Sequence, residues 1–483
     1  MLKISFSRQL VRTFATTADE VTIPKLTDIL IVGGGPAGLT LATAIKNSSH
    51  LAKLKTTLVD SAKLTENVLP FYSNPPTEYH NRVVSITPKS LNFITNTLNV
   101  KLLENRIQPY DGCYITDGIS KAHMSLNKES MLYMVEIMNI QSSLLKHLKE
   151  LNLKEEDFEM KENVKVENIS YSNPEDPTSW PLVKLSNGET YKTRLLIGCD
   201  GANSPVKKFS KLNTEGWKYN TFGTVATLKL NGPPIFKING WQRFLKWGPV
   251  AHLPLPDNNA SLVWSTKGNT LSEMFVNMDT KVFASLINAA FVLSDADLEY
   301  YFNAIKNNTM KSDELIDDIN FRINETWDNL KDDSLIDEIF PPQVVDVVKG
   351  SVARFPFKFS HVDKYVTDRI ALVGDAAHTT HPLAGQGLNM GQHDVEELTK
   401  ALEKATLRGL DIGSELALEP YWAECYPFNN VRLGLADKLH KLYQTDSKPI
   451  VAMRSLGLTL TDKIEPVKNL VIDTLTGGEE MCK

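Results

Sequence analysis

Three strand-to-glycine joints, a long β-patterned stretch between them and helical periodicity after residue 400 predict an α/β fold. The expected architecture is a Rossmann-like domain carrying an inserted β-sheet domain and followed by C-terminal helices. The joints are Lys25–Val32 running into Gly33-Gly34-Gly35-Pro36-Ala37-Gly38, Leu195–Ile197 running into Gly198-Cys199-Asp200-Gly201, and Ile370–Val373 running into Gly374-Asp375. Alternating apolar and polar residues over Ile107–Leu126 and Lys218–Trp264 supply the β pattern. At 483 residues the chain is long enough for about three domain equivalents. The expected boundaries are a presequence at 1–18, a discontinuous Rossmann-like domain at 26–102, 128–215 and 351–400, and an inserted sheet at 103–127 and 216–310. An acidic insertion at 311–350 and a helical region at 401–483 complete the chain.

The head reads MLKISFSRQLVRTFATTADE, with Lys3, Arg8 and Arg12 interspersed among Leu2, Ile4, Phe6, Leu10 and Val11 and no acid before Asp19. That is transit-peptide composition, and the continuous apolar core of a secretory signal is missing, so mitochondrial import is expected. Net charge is −6, from 52 basic and 58 acidic residues, which argues against a general nucleic-acid binder. The charge is uneven: residues 1–18 contribute +3 and residues 311–339, with ten acids against three bases, contribute −7. Four cysteines without a CxxC pair speak against a disulfide framework or a zinc site. No apolar run approaches the roughly 18 residues of a membrane span.

In the first joint, Gly33 suits a tight turn, Gly35 the approach of a pyrophosphate, and Gly38 the packing of helix on strand. The helix start offers unbonded N–H groups to phosphate charge. The next strand, Lys55–Val59, ends in Asp60, 22 residues past Gly38, where a carboxylate can accept from ribose hydroxyls. This unit predicts a dinucleotide and does not separate NAD from FAD. Asp375, at the end of its strand beside Gly374, can bind the hydroxyls of a long cofactor. Gly385, Gly387 and the following Leu388 and Asn389 open a helix whose N–H groups can meet the pyrimidine edge of an isoalloxazine.

GxGxxG, the Asp200-Gly201 turn and the Gly374-Asp375 segment together resemble the three FAD signatures of class A flavoprotein aromatic hydroxylases, which have the para-hydroxybenzoate hydroxylase fold. Asn81-Arg82-Val83-Val84-Ser85 is similar to the segment whose arginine lies over the flavin, so the resemblance places Arg82 there. WQRFLKWGPVAHLPLP (Trp241–Pro256), Leu262-Val263-Trp264-Ser265 and His378–Gly391 (HTTHPLAGQGLNMG) resemble the ubiquinone-biosynthesis branch of that family in its eukaryotic mitochondrial form. The likeness covers roughly residues 26–475. Two patterns depart from it: Glu136-Ile137-Met138-Asn139-Ile140-Gln141 lacks the Asn and Arg of bacterial relatives, and the C-terminal Y-x-x-x-R runs from Tyr421 to Cys425.

The resemblance implies FAD as cofactor and hydroxylation at ring position five of a polyprenylated phenol or hydroxybenzoate, with dioxygen and a flavin hydroperoxide. It further implies electrons from ferredoxin and ferredoxin reductase, membership of a ubiquinone-biosynthesis protein complex, and peripheral contact with the matrix side of the inner membrane. Arg243, His252, His381 and Pro382 are pocket candidates, against the plainer reading of a surface arginine and structural histidines. Rival functions are a flavin-dependent reductase or dehydrogenase of a prenyl lipid, and a non-catalytic prenyl-binding scaffold of the Rab-escort type.

Two further stretches have open readings. Leu315, Ile319, Ile323 and Trp327 recur every four residues beneath the acids of 311–339, giving a solvated helix face or a docking surface for a basic partner. The tail from Lys448 to Thr476 reads as a packed helix pair or as a membrane-interface segment.

Overall fold

The computed structural model describes residues 23–120, 122–233, 237–330, 334–380, 385–445 and 447–477. The expected presequence therefore lies outside the described residues, as do His381 and Pro382.

Two sheets organise the chain. In the first, β1 (Lys25–Val32) is flanked in parallel by β2 (Thr56–Val59) and β9 (Thr190–Gly198). Beyond these lie β6 (Phe158–Lys161), parallel to β2, and β17 (Ile370–Leu372), parallel to β9. Ile29, Leu30 and Ile31 are fully buried, as the unbroken apolar run of a central parallel strand requires. The register fixes the function of this sheet. Val32 pairs with both Val59 and Gly198, and Gly198 pairs with Leu372. Gly33, Asp60, Cys199-Asp200 and Gly374, distant in sequence, thus emerge together at the carboxyl edge, where open α/β sheets bind ligands.

The second sheet is mostly antiparallel. It contains β3 (Val83–Ile86), β4 (Ile107–Asp117), β5 (His123–Glu136), β10 (Thr214–Leu230), β11 (Asn239–Leu245), β12 (Gly248–Leu255), β13 (Asn259–Lys267), β15 (Ala353–Val362) and β18 (His378–Thr379), in the order β18-β15-β10-β13-β12-β11-β4-β5-β3. These strands move three expected boundaries, the first being that β3 joins this sheet although it falls within 26–102. β5 stays in this sheet to Glu136, past the expected change at 128, and β15 and β18 belong to it although they fall within 351–400.

The helices that place the site are α1 (Pro36–Asn47), α2 (Pro88–Asn92), α3 (Ile137–Glu150), α4 (Thr280–Val292), α5 (Ser312–Asp328), α6 (Gly387–Leu407), α7 (Glu415–Tyr443), α8 (Lys448–Lys463) and α9 (Glu465–Thr476). On one face of the second sheet, Trp264 and Trp241 join Phe275, Phe283 and α4 in a core that also takes Leu315, Ile319 and Ile323 of α5. Trp327 packs on its margin. The apolar stripe under the acids is therefore core, and burial of three aliphatic side chains stabilises α5 by about 1.5–3 kcal/mol each. α8 and α9 both rest on β5. Arg454 of α8 reaches Asp117 at the end of β4, Nε to Oδ2 2.6 Å, with both side chains buried.

Candidate active site

The first joint is built by steric necessity. Gly33 holds φ +108°, and an added Cβ would run into the Cys199 carbonyl; a Cβ on Gly38 would strike the Gly33 carbonyl. Gly35 faces open space, with nothing within 4 Å of where its Cβ would stand. That opening lies at the start of α1, which has no side-chain cap, so its first N–H groups are available to a phosphate. Asp60 accepts from Gly34 N at 2.5 Å and Ala62 N at 2.6 Å, bracing the glycine loop, and as a carboxylate it retains further acceptor capacity. Gln141 of α3 donates to the Gly34 carbonyl at 3.1 Å; this second brace was not anticipated from the sequence.

At the neighbouring turns, both carboxylate oxygens of Asp200 are buried with no hydrogen-bond partner. Burial pushes its pKa up to about 6, and the nearby Ser204 hydroxyl only partly opposes this. Asp375 is solvent-accessible yet walled by protein; the loss of bulk water raises its pKa against the pull of His378, Lys358 and Lys207. Those lysines donate to Asn203 Oδ1 (Lys358, 3.2 Å) and to the Ala202 carbonyl (Lys207, 3.1 Å), giving the edge a cationic rim.

Asp394, midway along α6 and fully buried, organises the Gly374-Asp375 turn. Its Oδ2 accepts from Gly374 N at 2.9 Å and meets His378 Nε2 at 2.6 Å, while Oδ1 accepts from Asn429 Nδ2 at 2.9 Å. Gly374 itself sits at φ +61°. Burial opposes the charged form of His378, but the Asp394 charge and hydrogen bond outweigh it and raise its pKa; the same contacts hold Asp394 low.

Gly385, at φ +59°, turns the chain into α6, whose N-terminus also lacks a side-chain cap. The N–H groups of Gly387, Leu388 and Asn389 lie in that first turn. The Asn389 side chain is spent within the protein: Nδ2 donates to the Ser85 and Gly385 carbonyls at 2.9 and 3.3 Å, and Oδ1 accepts from Thr87 N at 3.0 Å. It clamps α6 to β3 and can offer a ligand only its backbone. Arg82 is exposed one residue before β3. Ser85 Oγ and Tyr110 Oη lie 2.8 Å apart, buried beside this junction.

Arg243 and His252 go elsewhere. Both are on the helix-backed face of the second sheet: Arg243 Nη1 donates to the Ala290 carbonyl at 3.2 Å, and His252 pairs in register with Trp241 and Leu262. Burial lowers the Arg243 pKa against Asp295 and Asp117, and lowers His252 to about 4. Neither ring nitrogen of His252 has a hydrogen-bond partner. The opposite face carries a registered row, Val225–Val263–Ala251–Gln242, each residue only partly buried. This apolar row, broken by the one amide of Gln242 and continued by Ile115 of β4, was missed, because alternation predicts two faces without saying which one helices cover.

The unpartnered Asp200, the open side of Gly35 and two uncapped helix N-termini at one sheet edge fit FAD. A family model described as an FAD binding domain matches residues 317–431, which include the Gly374-Asp375 turn and α6. Over 99% of each chain, the sequence is 57% identical to the mitochondrial ubiquinone biosynthesis monooxygenase COQ6 of Saccharomyces cerevisiae. The chain belongs to the COQ6 family of FAD-dependent monooxygenases. The family's fold recurs in the solved structure of p-nitrophenol 4-monooxygenase PnpA from Pseudomonas putida, at TM-score 0.62 and 15% identity, covering 94% of this chain and 99% of that one. Klebsiella pneumoniae HpxO, solved with FAD and uric acid, matches at TM-score 0.61 and 15% identity, over 94% of this chain and 97% of that one.

Proposed function

We propose that this COQ6-family chain hydroxylates the aromatic ring of a polyprenylated phenol or hydroxybenzoate in ubiquinone biosynthesis, receiving electrons from ferredoxin and its reductase. The observation that carries the reading is the carboxyl edge of the first sheet, where Asp200, Asp375 and the uncapped starts of α1 and α6 converge, set beside a sheet with the partly buried row Val225, Val263 and Ala251 on its second face. FAD, when bound, supplies the redox and oxygen chemistry. The chain's residues do the rest. Gly35 and the α1 N-terminus take the pyrophosphate, and Asp60 and Asp375 are positioned for ribose and ribityl hydroxyls. The α6 amides face the pyrimidine edge, where developing negative charge is favoured by the helix dipole. Val225, Val263 and Ala251 give an apolar wall that excludes water from a greasy substrate, and Gln242 offers it one amide for orientation.

In location, the reading is peripheral attachment to the matrix side of the inner membrane. Among the described residues no helix is long and apolar enough to cross a membrane. Met453, Leu456 and Leu460 of α8 and Val467 and Leu470 of α9 are exposed on the side away from β5, which supports the membrane-interface reading of the tail.

Two measurements test the proposal. Product formed under labelled dioxygen is expected to carry the label, and its absence would leave a reductase or dehydrogenase instead. Under anaerobic conditions the flavin is expected to bleach with reduced ferredoxin and to stay oxidised with NADPH alone; rapid bleaching by NADPH would remove the ferredoxin step.

A further inference from the structure

Behind α6, on the side turned away from the glycine loop, a small cavity of mixed polar and apolar lining opens between α2, α6 and α7, with Gly477 forming part of its wall. Nothing in the flavin chemistry uses it. Gln392 is 1% exposed and His393 8%, yet neither amide atom of Gln392 and neither ring nitrogen of His393 has a hydrogen-bond partner. Folded proteins rarely leave four such atoms unsatisfied on successive residues, and an unseen ion or water is the usual explanation.

The cavity's charge says which. Lys89 lines it without a hydrogen bond or ion pair among the described residues, and Arg432 lines it with its guanidinium 3.4 Å from the Phe428 ring centre. Its one acid, Glu396, is held by Lys400 at 2.7 Å. Burial, together with Lys89 and Arg432, pushes His393 down to about 4, so its ring is neutral and offers one donor nitrogen. A divalent cation is the competing occupant, since His393, Glu396 and Glu397 bring ligand atoms within 4.8 Å of one another. Lys400 already holds both glutamates, at 2.7 and 2.8 Å, and Lys89 adds a further positive charge to the cavity.

We propose that this cavity binds an oxyanion, a carboxylate or phosphate group that pairs with Lys89 and accepts hydrogen bonds from Gln392 Nε2 and the His393 ring. The group has two possible sources. One is a free small anion. The other is the chain itself, which continues from the cavity wall at Gly477 as Gly478-Glu479-Glu480. Occupancy would join α2, α6 and α7 one turn beyond Asn389, on the helix whose first N–H groups face the flavin site.

The test uses the FAD-loaded full chain and follows its thermal midpoint in sodium phosphate or sodium acetate against sodium chloride of equal ionic strength, which removes general screening. A free-anion site predicts a saturable rise of roughly 1–2 °C above chloride, abolished in Lys89→Met and Gln392→Leu. An intramolecular source predicts no response in the parent and the same rise in the Glu479→Gln/Glu480→Gln double variant, again dependent on Lys89. The proposal is overturned if neither protein responds, or if Gln392→Leu responds as fully as the protein it derives from. It is equally overturned if Gln392→Leu raises the midpoint in phosphate, since idle polar atoms replaced by a methyl-bearing side chain should do that.

Discussion

Asp394→Asn removes one charge and almost no volume from the point where α6, the Gly374-Asp375 turn and α7 meet. In the parent, one carboxylate accepts from Gly374 N and Asn429 Nδ2 and faces His378 Nε2, all within 2.9 Å and out of contact with water. Breaking a buried pair by removing one partner costs about 3–5 kcal/mol; an amide oxygen in the place of Oδ2 can still meet Gly374 N and His378, uncharged, while its NH2 opposes Asn429 Nδ2, so a loss of about 2–4 kcal/mol is expected. The loss has a pH signature. His378 has its folded pKa raised, so its contribution is full below the unfolded value of about 6.5 and fades as pH rises through the folded value. Asp394 has its folded pKa lowered, so its contribution is full above about 3.9 and fades as pH falls through the folded value. The stability gap between parent and variant, read by denaturant unfolding, should therefore be widest between about pH 4 and 6.5 and narrow on both sides. Because the anchor of Gly374 N loses its charge, FAD affinity followed by flavin fluorescence should fall about tenfold or more, equivalent to about 1.4 kcal/mol. A variant with unchanged stability across that range and unchanged FAD affinity would refute the assignment of Asp394 as organiser of the turn.

Asp200→Asn should act in opposite directions on the apo and loaded forms. Its folded pKa near 6 against a usual 3.8 means that ionisation opposes folding above about pH 6, so the amide should stabilise the apoprotein at pH 8 by about 2 kcal/mol while weakening FAD binding; calorimetry with and without FAD reads both. Asn389→Leu removes two hydrogen bonds between α6 and the β3 region and a third to the Gly385 carbonyl in its own turn, at about 1 kcal/mol each, and should lower flavin occupancy of the purified protein. Gly38→Ala should give protein without flavin or without a fold, seen as loss of the yellow absorbance. Ile319→Ala should lower stability by about 2–5 kcal/mol, whereas Asp313→Asn on the same helix should stay within about 0.5 kcal/mol, a contrast that chemical denaturation resolves.

What could be read in advance followed from how local each requirement is. Gly33 and Gly38 are demanded by atoms of their own turn and the adjacent strand, so their spacing announces them. The four-residue recurrence of Leu315, Ile319 and Ile323 likewise shows which side of α5 is core. Asp394 gave no such signal: in GQHDVEEL it looks like one of several acids on a helix, and its burial depends on His378 and Asn429 arriving from other segments. Gln141 braces Gly34 across 107 residues, beyond any local pattern. Arg243 and His252 show the limit of alternation, since the helices that cover their face come later in the chain. Asp60 stood where a ribose acid belongs, but its bonds to Gly34 and Ala62 appear only once the loop is folded.

The Arg454–Asp117 pair spans 337 positions, and its consequence is one of timing. Until α8 is in place, the end of β4 carries a carboxylate that cannot be both ionised and dry, so the strand edge must remain wet or the acid protonated. A chain delivered from its N-terminus thus cannot seal this part of the second sheet before almost its last helices arrive. Contacts of such sequence separation slow folding, and here the delay falls on the end of β4 beside Phe244 of β11. A truncation before α8 would accordingly be felt at the centre of the molecule rather than at its end.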